Sequence, residues 1–328
     1  MIFAFGLLEA IAKTGMPFCF KGGTSLMLLF EHPQRLSTDI DIIVPPGTDI
    51  DDYIAQAGVI FPFLRVEEDI RVGKNKIEKR HFRFTYRSPK SDKELAILLD
   101  ALFEDVHYGK ILERPIKNEL LLTEGEDLSV TIPDGNSVLG DKLTAFAPHT
   151  TGIPFGVNKE LEIIKQLFDC GCLFDIMDDF DEVKSSYSKI VKAEMEYRGL
   201  SLSAQDVLKD TIEGCLCVAS RGALYEEDYP KYKDGIGRVS NHIVGKEFTG
   251  ETAGGYAARV LYLASSMFIG SKECRQIKDP KASLSKKLVF PKPKSFNYLR
   301  SADRLSYSYI LEAGLMLEKA GLLNLKPF

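Results

Sequence analysis

Two aspartates one residue apart, Asp39 and Asp41, sit in the apolar run Ile40, Ile42, Ile43, Val44. On an extended strand, residues i and i+2 face the same side, so both carboxylates point together while Ile40 and Ile42 point the other way. Close together in an apolar setting the two acids repel, and one is pushed towards protonation unless a cation intervenes. A divalent ion removes that penalty and turns the pair into ligands. Hard oxygen donors with open positions suit Mg2+, which is usually held by one or two carboxylates plus substrate phosphates. A third acid, Asp100, stands in the apolar run "AILLDALF" and is expected on a neighbouring strand. The plainer alternative for Asp100 is a strand-edge charge. Glu104 and Asp105, near the end of that run, read as solvated.

A phosphate site is expected close by. Gly22-Gly23-Thr24-Ser25 opens a short apolar helix. Glycines let the backbone approach an anion closely, and the helix start offers unpaired N–H groups and a positive dipole end. The hydroxyls of Thr24 and Ser25 add donors, and Arg35 and Ser37 precede the aspartates with more.

These residues need a sheet to hold them. "MPFCF" reads as a short strand, "GTSLMLLFEH" as a helix, "DIDIIV" as a buried strand and "DIDDYIAQAG" as a helix with a glycine stop. Alternation from Ile77 through Phe82, Phe84 and Tyr86 predicts a strand, as does Leu95 to Phe103. "NELLLTEGEDLSVTIPDG" reads as a hairpin closed by Pro133-Asp134-Gly135. Beyond Asn136 the pattern turns helical. "NSVLGDKLTAFA" is capped by Asn136 or Ser137, five further segments have helical periods, and the Lys/Pro-rich "KDPKASLSKKLVFPKPKS" reads as a loop. The expected architecture is α/β (α+β): a mixed-sheet core over 1–136, then an all-helical domain over 137–328.

Composition sets the class. With 328 residues, 45% hydrophobic and 27% charged, the chain is long enough for two globular domains. No apolar run approaches the roughly 20 residues needed to cross a bilayer, and no membrane role is expected. "MIFAFGLLEAIAKTG" lacks a basic lead and a cleavage site, so it reads as an amphipathic helix within which the chain begins. Six cysteines in a chain this long form no disulfide framework, and the two Cys-x-Cys pairs lack zinc-ribbon spacing. Buried thiols and a cytoplasmic setting follow. The net charge of −5 hides two basic stretches, residues 71–93 and 272–300, each with nine Lys/Arg against two acids. They read either as solvated surface or as contacts for a polyanion.

The ordered set resembles the nucleotidyltransferase superfold related to polymerase β: Gly-Gly with Thr/Ser opening a helix, then Asp-apolar-Asp on a strand, then a lone Asp in a later apolar strand. Lys21 to Leu26 and Arg35 to Ile42 go further. They resemble the Lys-Gly-Gly-Thr-Ser/Ala-Leu and Arg-x-Ser-x-Asp-apolar-Asp motifs of AbiEii/AbiGii-type toxin nucleotidyltransferases, the enzymatic half of abortive-infection toxin–antitoxin pairs that act in phage defence. In the helical half, Lys142 in "SVLGDKLTAFA" and Asp169 in "IIKQLFDCGCLFDI" match that family's later motifs. Many members carry Asp-x-x-Asp in the last motif. Here Gln166 stands at the first position, so Asp169 alone is carried over, with Asp175 the other candidate.

The resemblance implies that Asp39 and Asp41 bind two Mg2+ ions, that Asp100 completes the metal site or serves as a base, and that Gly23 and Ser25 grip the triphosphate of an NTP, with Lys21, Gly22, Thr24, Arg35 and Ser37 around it. Lys142 neutralises charge on the phosphates, and Asp169 orients Lys142 or touches the nucleotide. Lys142→Ala is then expected to cut turnover and leave the fold intact. Plainer readings are a surface lysine for Lys142 and a surface or capping charge for Asp169. The implied activity is transfer of NMP to an acceptor, the 3′ end of tRNA first, which would block translation; a cognate antitoxin is the implied partner. A protein or small-molecule hydroxyl as acceptor stays open, as do a non-catalytic nucleotide-binding role and carboxylates paired structurally with Arg35 or Lys142.

Overall fold

The computed structural model of the chain describes residues 1–70 and 78–323. They fall into two compact units, Met1–Asp134 and Gly135–Phe328. The first contains α1 (Ile2–Lys13), β1 (Cys19–Lys21), α2 (Gly22–Leu29), β2 (Ile40–Val44), α3 (Asp51–Gly58), β3 (Phe63–Glu68), β4 (Lys79–Arg87), β5 (Glu94–Phe103), β6 (Ile111–Pro115) and β7 (Ser129–Pro133). Five strands form a mixed sheet in the order β1-β2-β5-β4-β3, with β2 and β5 parallel and the other pairs antiparallel.

Period-two patterning gives this sheet its two faces. In β5, Ile97, Leu99, Ala101 and Phe103 are buried, while Asp100 between them is only half-buried. In β4, Phe82, Phe84 and Tyr86 are buried and alternate with Lys79, His81 and Arg83. Ile40, Ile42 and Val44 of β2 are fully buried. One face is thus apolar, and α1 belongs to the same core through Ala4, Leu7, Leu8 and Ile11, a spacing that puts four apolar side chains on one helical stripe. Each buried Leu or Ile there is worth about 1.5–3 kcal/mol. Phe3 adds a stacked contact on Tyr86, with ring centroids 3.8 Å apart.

Several local expectations change. Asp39 is exposed and Asp41 half-buried, so neither acid lies buried among the isoleucines; Ile40, Ile42 and Val44 take the face opposite Asp41, while Ile43 is buried on the acid's own side. β6 pairs with β7 antiparallel, Ile111 opposite Pro133, so the hairpin's first strand precedes "NELLLTEGEDL" and Pro133-Asp134-Gly135 leads into a helix. β3, a charged outer strand, carries too little apolar alternation to be read from sequence. Ile77, where the β4 pattern was expected to start, lies outside the described residues.

The second unit is built from α4 (Gly135–Ala145), α5 (Glu160–Ile176), α6 (Phe180–Arg198), α7 (Ala204–Ala219), α8 (Tyr229–Val239), α9 (Gly250–Phe268), α10 (Lys281–Leu284), α11 (Asn297–Ala302) and α12 (Arg304–Lys319). Asn136 and Ser137 lie inside α4 rather than capping it. The Asn136 amide donates to Asp178 (2.7 Å), and Ser137 donates to Glu182 (2.8 Å), tying α4 to the start of α6. The Lys/Pro-rich stretch is not all loop, since α10 and a short 3-10 turn at Pro293–Phe296 interrupt it. All six cysteines are free and buried, and burial pushes the Cys172 and Cys217 thiols up to about 12. No helix among the described residues is long and apolar enough to cross a membrane.

Candidate functional site

Strand pairing lines up four polar residues on the open side of the sheet. Lys21 of β1 is the register partner of Asp41 in β2. Asp41 is the partner of Asp100 in β5, and Asp100 is the partner of His81 in β4. The row therefore runs Lys21, Asp41, Asp100, His81 across four adjacent strands. All four line one cavity of about 180 Å3, together with Lys79. Two like charges in the middle are flanked by a cation on one side and an imidazole on the other. His81 Nδ1 lies 2.7 Å from Asp100 Oδ1.

The glycine turn closes against the same row. Gly22 has φ +78°, the left-handed region, and a Cβ there would sit 2.1 Å from Asp41 Oδ2. Only glycine lets the backbone pass this carboxylate. A Cβ on Gly23 would lie 2.3 Å from Arg35 Nη2, so Gly23 makes room for the buried Arg35 guanidinium. The hydroxyls behave differently from expectation. Both are buried and donate to backbone carbonyls, Thr24 to Asp39 (2.6 Å) and Ser25 to Gly22 (2.9 Å). Thr24 thereby fastens the start of α2 to the residue that opens β2. Asp39 is exposed directly before that strand, and Ser37 is half-buried on the approach to it.

Does this donor set suit a divalent ion? Among the described residues, no group of three or more His, Cys, Asp or Glu is gathered tightly enough to hold a metal by itself. A magnesium site needs less, since one or two carboxylates plus substrate phosphates commonly suffice. Asp41 and Asp100 are adjacent carboxylates on a cavity that also presents Lys21 and Lys79, and the absence of a side chain at Gly22 lets the backbone lie close against the Asp41 carboxylate. The donor chemistry fits.

The remaining two predicted residues form a pair of another kind within the helical unit. Lys142 of α4 places Nζ 3.1 Å from Asp169 Oδ2 and 2.9 Å from Gln166 Oε1, both on α5. The side chains of Lys142 and Asp169 are 9% and 2% exposed, so neither is a surface charge. Asp175 is bonded instead to Arg259 (2.8 Å); burial pushes its carboxyl up against the pull of that guanidinium. Asp169, not Asp175, is the acid on Lys142.

Parts of the two basic stretches are already engaged. Arg80 bonds Glu68 and Asp51, and Lys292 donates to the Ala223 carbonyl (2.6 Å); residues 71–77 lie outside the described residues. The sequence reading omitted His81 and Lys79. The signal for them was the β4 alternation, whose polar face holds both, but their meaning depends on β4 lying next to β5.

A family description, nucleotidyl transferase AbiEii toxin of type IV toxin–antitoxin systems, matches residues 7–241. Similar solved structures include JHP933 from Helicobacter pylori, at 13% identity and TM-score 0.39, covering 80% of this chain and 89% of that one. Another is a provisionally described nucleotidyltransferase from H. pylori, at 12% identity and TM-score 0.41, covering 81% and 94%. A comparison with curated proteins finds no match.

Proposed function

The chain belongs to the AbiEii family of type IV toxin nucleotidyltransferases, and from that premise we propose that the Lys21–Asp41–Asp100–His81 row is where it transfers a nucleoside monophosphate from an NTP to the 3′ end of tRNA. The observation that carries this reading is the in-register pair Asp41 and Asp100 beside the Gly22 turn. Family membership implies an NTP substrate and an antitoxin partner; the acceptor, the metal and the residue roles are the proposal.

Asp41 and Asp100, with Asp39 just ahead of β2, would hold Mg2+, in one or two ions. A bound ion would draw charge from the phosphates and stabilise the departing pyrophosphate. The chain's own residues set the geometry. Gly22 and Gly23 present backbone rather than side chain to the phosphates, Lys21 and Lys79 offset their charge, and Thr24 keeps Asp39 against α2. Ser25 and Arg35 support the turn from behind, and Ser37 stands on the approach to Asp39. The acceptor hydroxyl oxygen bonds to the α-phosphorus as the bond from that phosphorus to the bridging oxygen breaks. Pyrophosphate leaves with the electron pair, and the hydroxyl proton passes to Asp100. For Lys142 and Asp169 we propose a cation for the nucleotide phosphates and the acid that keeps it charged and oriented. In this scheme unit one is the catalytic core, unit two the helical domain, and the cytoplasm the site of action in phage defence.

The test is incubation with each of four α-labelled NTPs, divalent metal and purified tRNA, with protein and small-molecule fractions analysed in parallel. Label at the tRNA 3′ end, reduced about 10³-fold in Asp41→Asn, is expected from the loss of several kcal/mol of charge stabilisation. Label on protein or a small molecule moves the acceptor. Full labelling by Asp41→Asn rejects the site.

A further inference from the structure

We propose that His81 is a positioning residue of the transfer reaction, pinning Asp100 so that one carboxylate oxygen is committed to the protein and the other to the metal and substrate. The inference rests on the reading of the four-residue row as the catalytic centre. A carboxylate can only accept, so the 2.7 Å contact places a hydrogen on His81 Nδ1, which donates to Asp100 Oδ1. Oδ2 is then the oxygen left to a ligand.

The two partners differ in a way that assigns the roles. The His81 side chain is 16% exposed and that of Asp100 42% exposed. His81 is the fixed wall and Asp100 the group that meets solvent. β4 is an interior strand. His81 is paired to Asp100 on the β5 side, and its carbonyl accepts from the Asp69 N–H (2.7 Å) on the β3 side. The imidazole therefore hangs from backbone held on both flanks.

Asp100 needs such an anchor. Its register neighbour on the other side is Asp41, a like charge, and an untethered side chain would rotate away from it. The hydrogen bond from His81 opposes that rotation and keeps both acids at the cavity before any ion arrives. Residues that orient a ligating carboxylate typically contribute 10–100-fold to metal affinity or activity. Arg80, the preceding residue, bonds Glu68 and Asp51 instead, so of these two neighbours only His81 serves Asp100.

The test compares wild type, His81→Ala and His81→Asn, whose amide can donate from the position of Nδ1. Steady-state transfer is measured with the NTP that labels, and binding of Mn2+ alone is followed by electron paramagnetic resonance. The expected result is a kcat about 10–100-fold lower in His81→Ala, with the NTP KM unchanged and Mn2+ affinity weakened by a similar factor. His81→Asn should return both to within a few-fold of wild type. Wild-type kcat or wild-type Mn2+ affinity in His81→Ala overturns the assignment. So does a His81→Asn variant that melts like wild type yet is as impaired as His81→Ala. Asp41→Asn run alongside separates the failures: if it transfers normally the row is not the catalytic centre, whereas if it is dead and His81→Ala is not, only the role of His81 falls.

Discussion

The sheet row and the Lys142–Asp169 pair use the same kinds of charged group in opposite ways. On the sheet, Asp41 and Asp100 stand next to each other and face a cavity, with Asp100 about two-fifths exposed. In the helical unit, Asp169 is buried and its lysine is occupied by Asp169 and Gln166 together. The first arrangement opens onto a cavity; the second is closed within the fold. Repulsion retained at a cavity is a binding feature, whereas a closed, dehydrated ion pair is first a feature of the fold.

The largest effect is expected on breaking the closed pair. Removing one member of a buried ion pair costs about 3–5 kcal/mol, because the other is left buried and unpaired. Lys142→Ala should therefore lower stability by that amount in denaturant titrations, which replaces the sequence-based expectation of an intact fold. Lys142→Met with Asp169→Leu should recover most of it. Transfer activity then discriminates: a double variant that folds and works makes the pair structural, and one that folds and is dead gives Lys142 a role on the nucleotide.

A smaller effect is expected at Asp210, a buried acid of α7 with no cation bonded to it among the described residues. Its carboxylate accepts from the His149 backbone N–H and the Thr150 hydroxyl, and Oδ1 has no hydrogen-bond partner among the described residues. Burial pushes its carboxyl from 3.8 up to about 6, against the opposing pull of those hydrogen bonds. The folded protein thus holds this proton more tightly than the unfolded chain does. The contribution to stability is complete below the usual carboxylate value and is lost as pH rises through about 6, a change of a few kcal/mol at most. Asp210→Asn should flatten that part of the stability–pH curve; an unchanged slope would mean that Asp210 is ionised throughout.

Gly22→Ala should cost about 1–2 kcal/mol for a left-handed backbone bearing a Cβ, on top of the cost of moving Asp41 aside, and it should read on activity. The new methyl would displace the Asp41 carboxylate, so Mn2+ binding and transfer should fall together. If both stay at the wild-type level, the close approach of Gly22 to Asp41 has no part in catalysis.

The parts of this protein that could be read in its sequence were those governed by local chemistry. Period-two burial in β5, the glycine entry to α2 and the order of Asp39, Asp41 and Asp100 all follow from short-range pattern. What escaped depended on partners distant in the chain. The bond between His81 and Asp100 spans nineteen positions, and only the β4–β5 register creates it. The Thr24 hydroxyl looked like a free donor until the Asp39 carbonyl came within 2.6 Å. The Lys142–Asp169 contact is anticipated only through the family resemblance, and Gln166, the third member, reads merely as a missing acid because its bond to Lys142 joins two helices.

Since the four side chains of the proposed site are matched by strand register, moving β2 by one position would exchange Asp41 for a neighbouring isoleucine. A single inserted or deleted codon within that strand should thus disarm the toxin as completely as losing the aspartate itself. Cells that survive forced expression should accumulate such frame-preserving length changes around residues 40–44 alongside point substitutions in the acids.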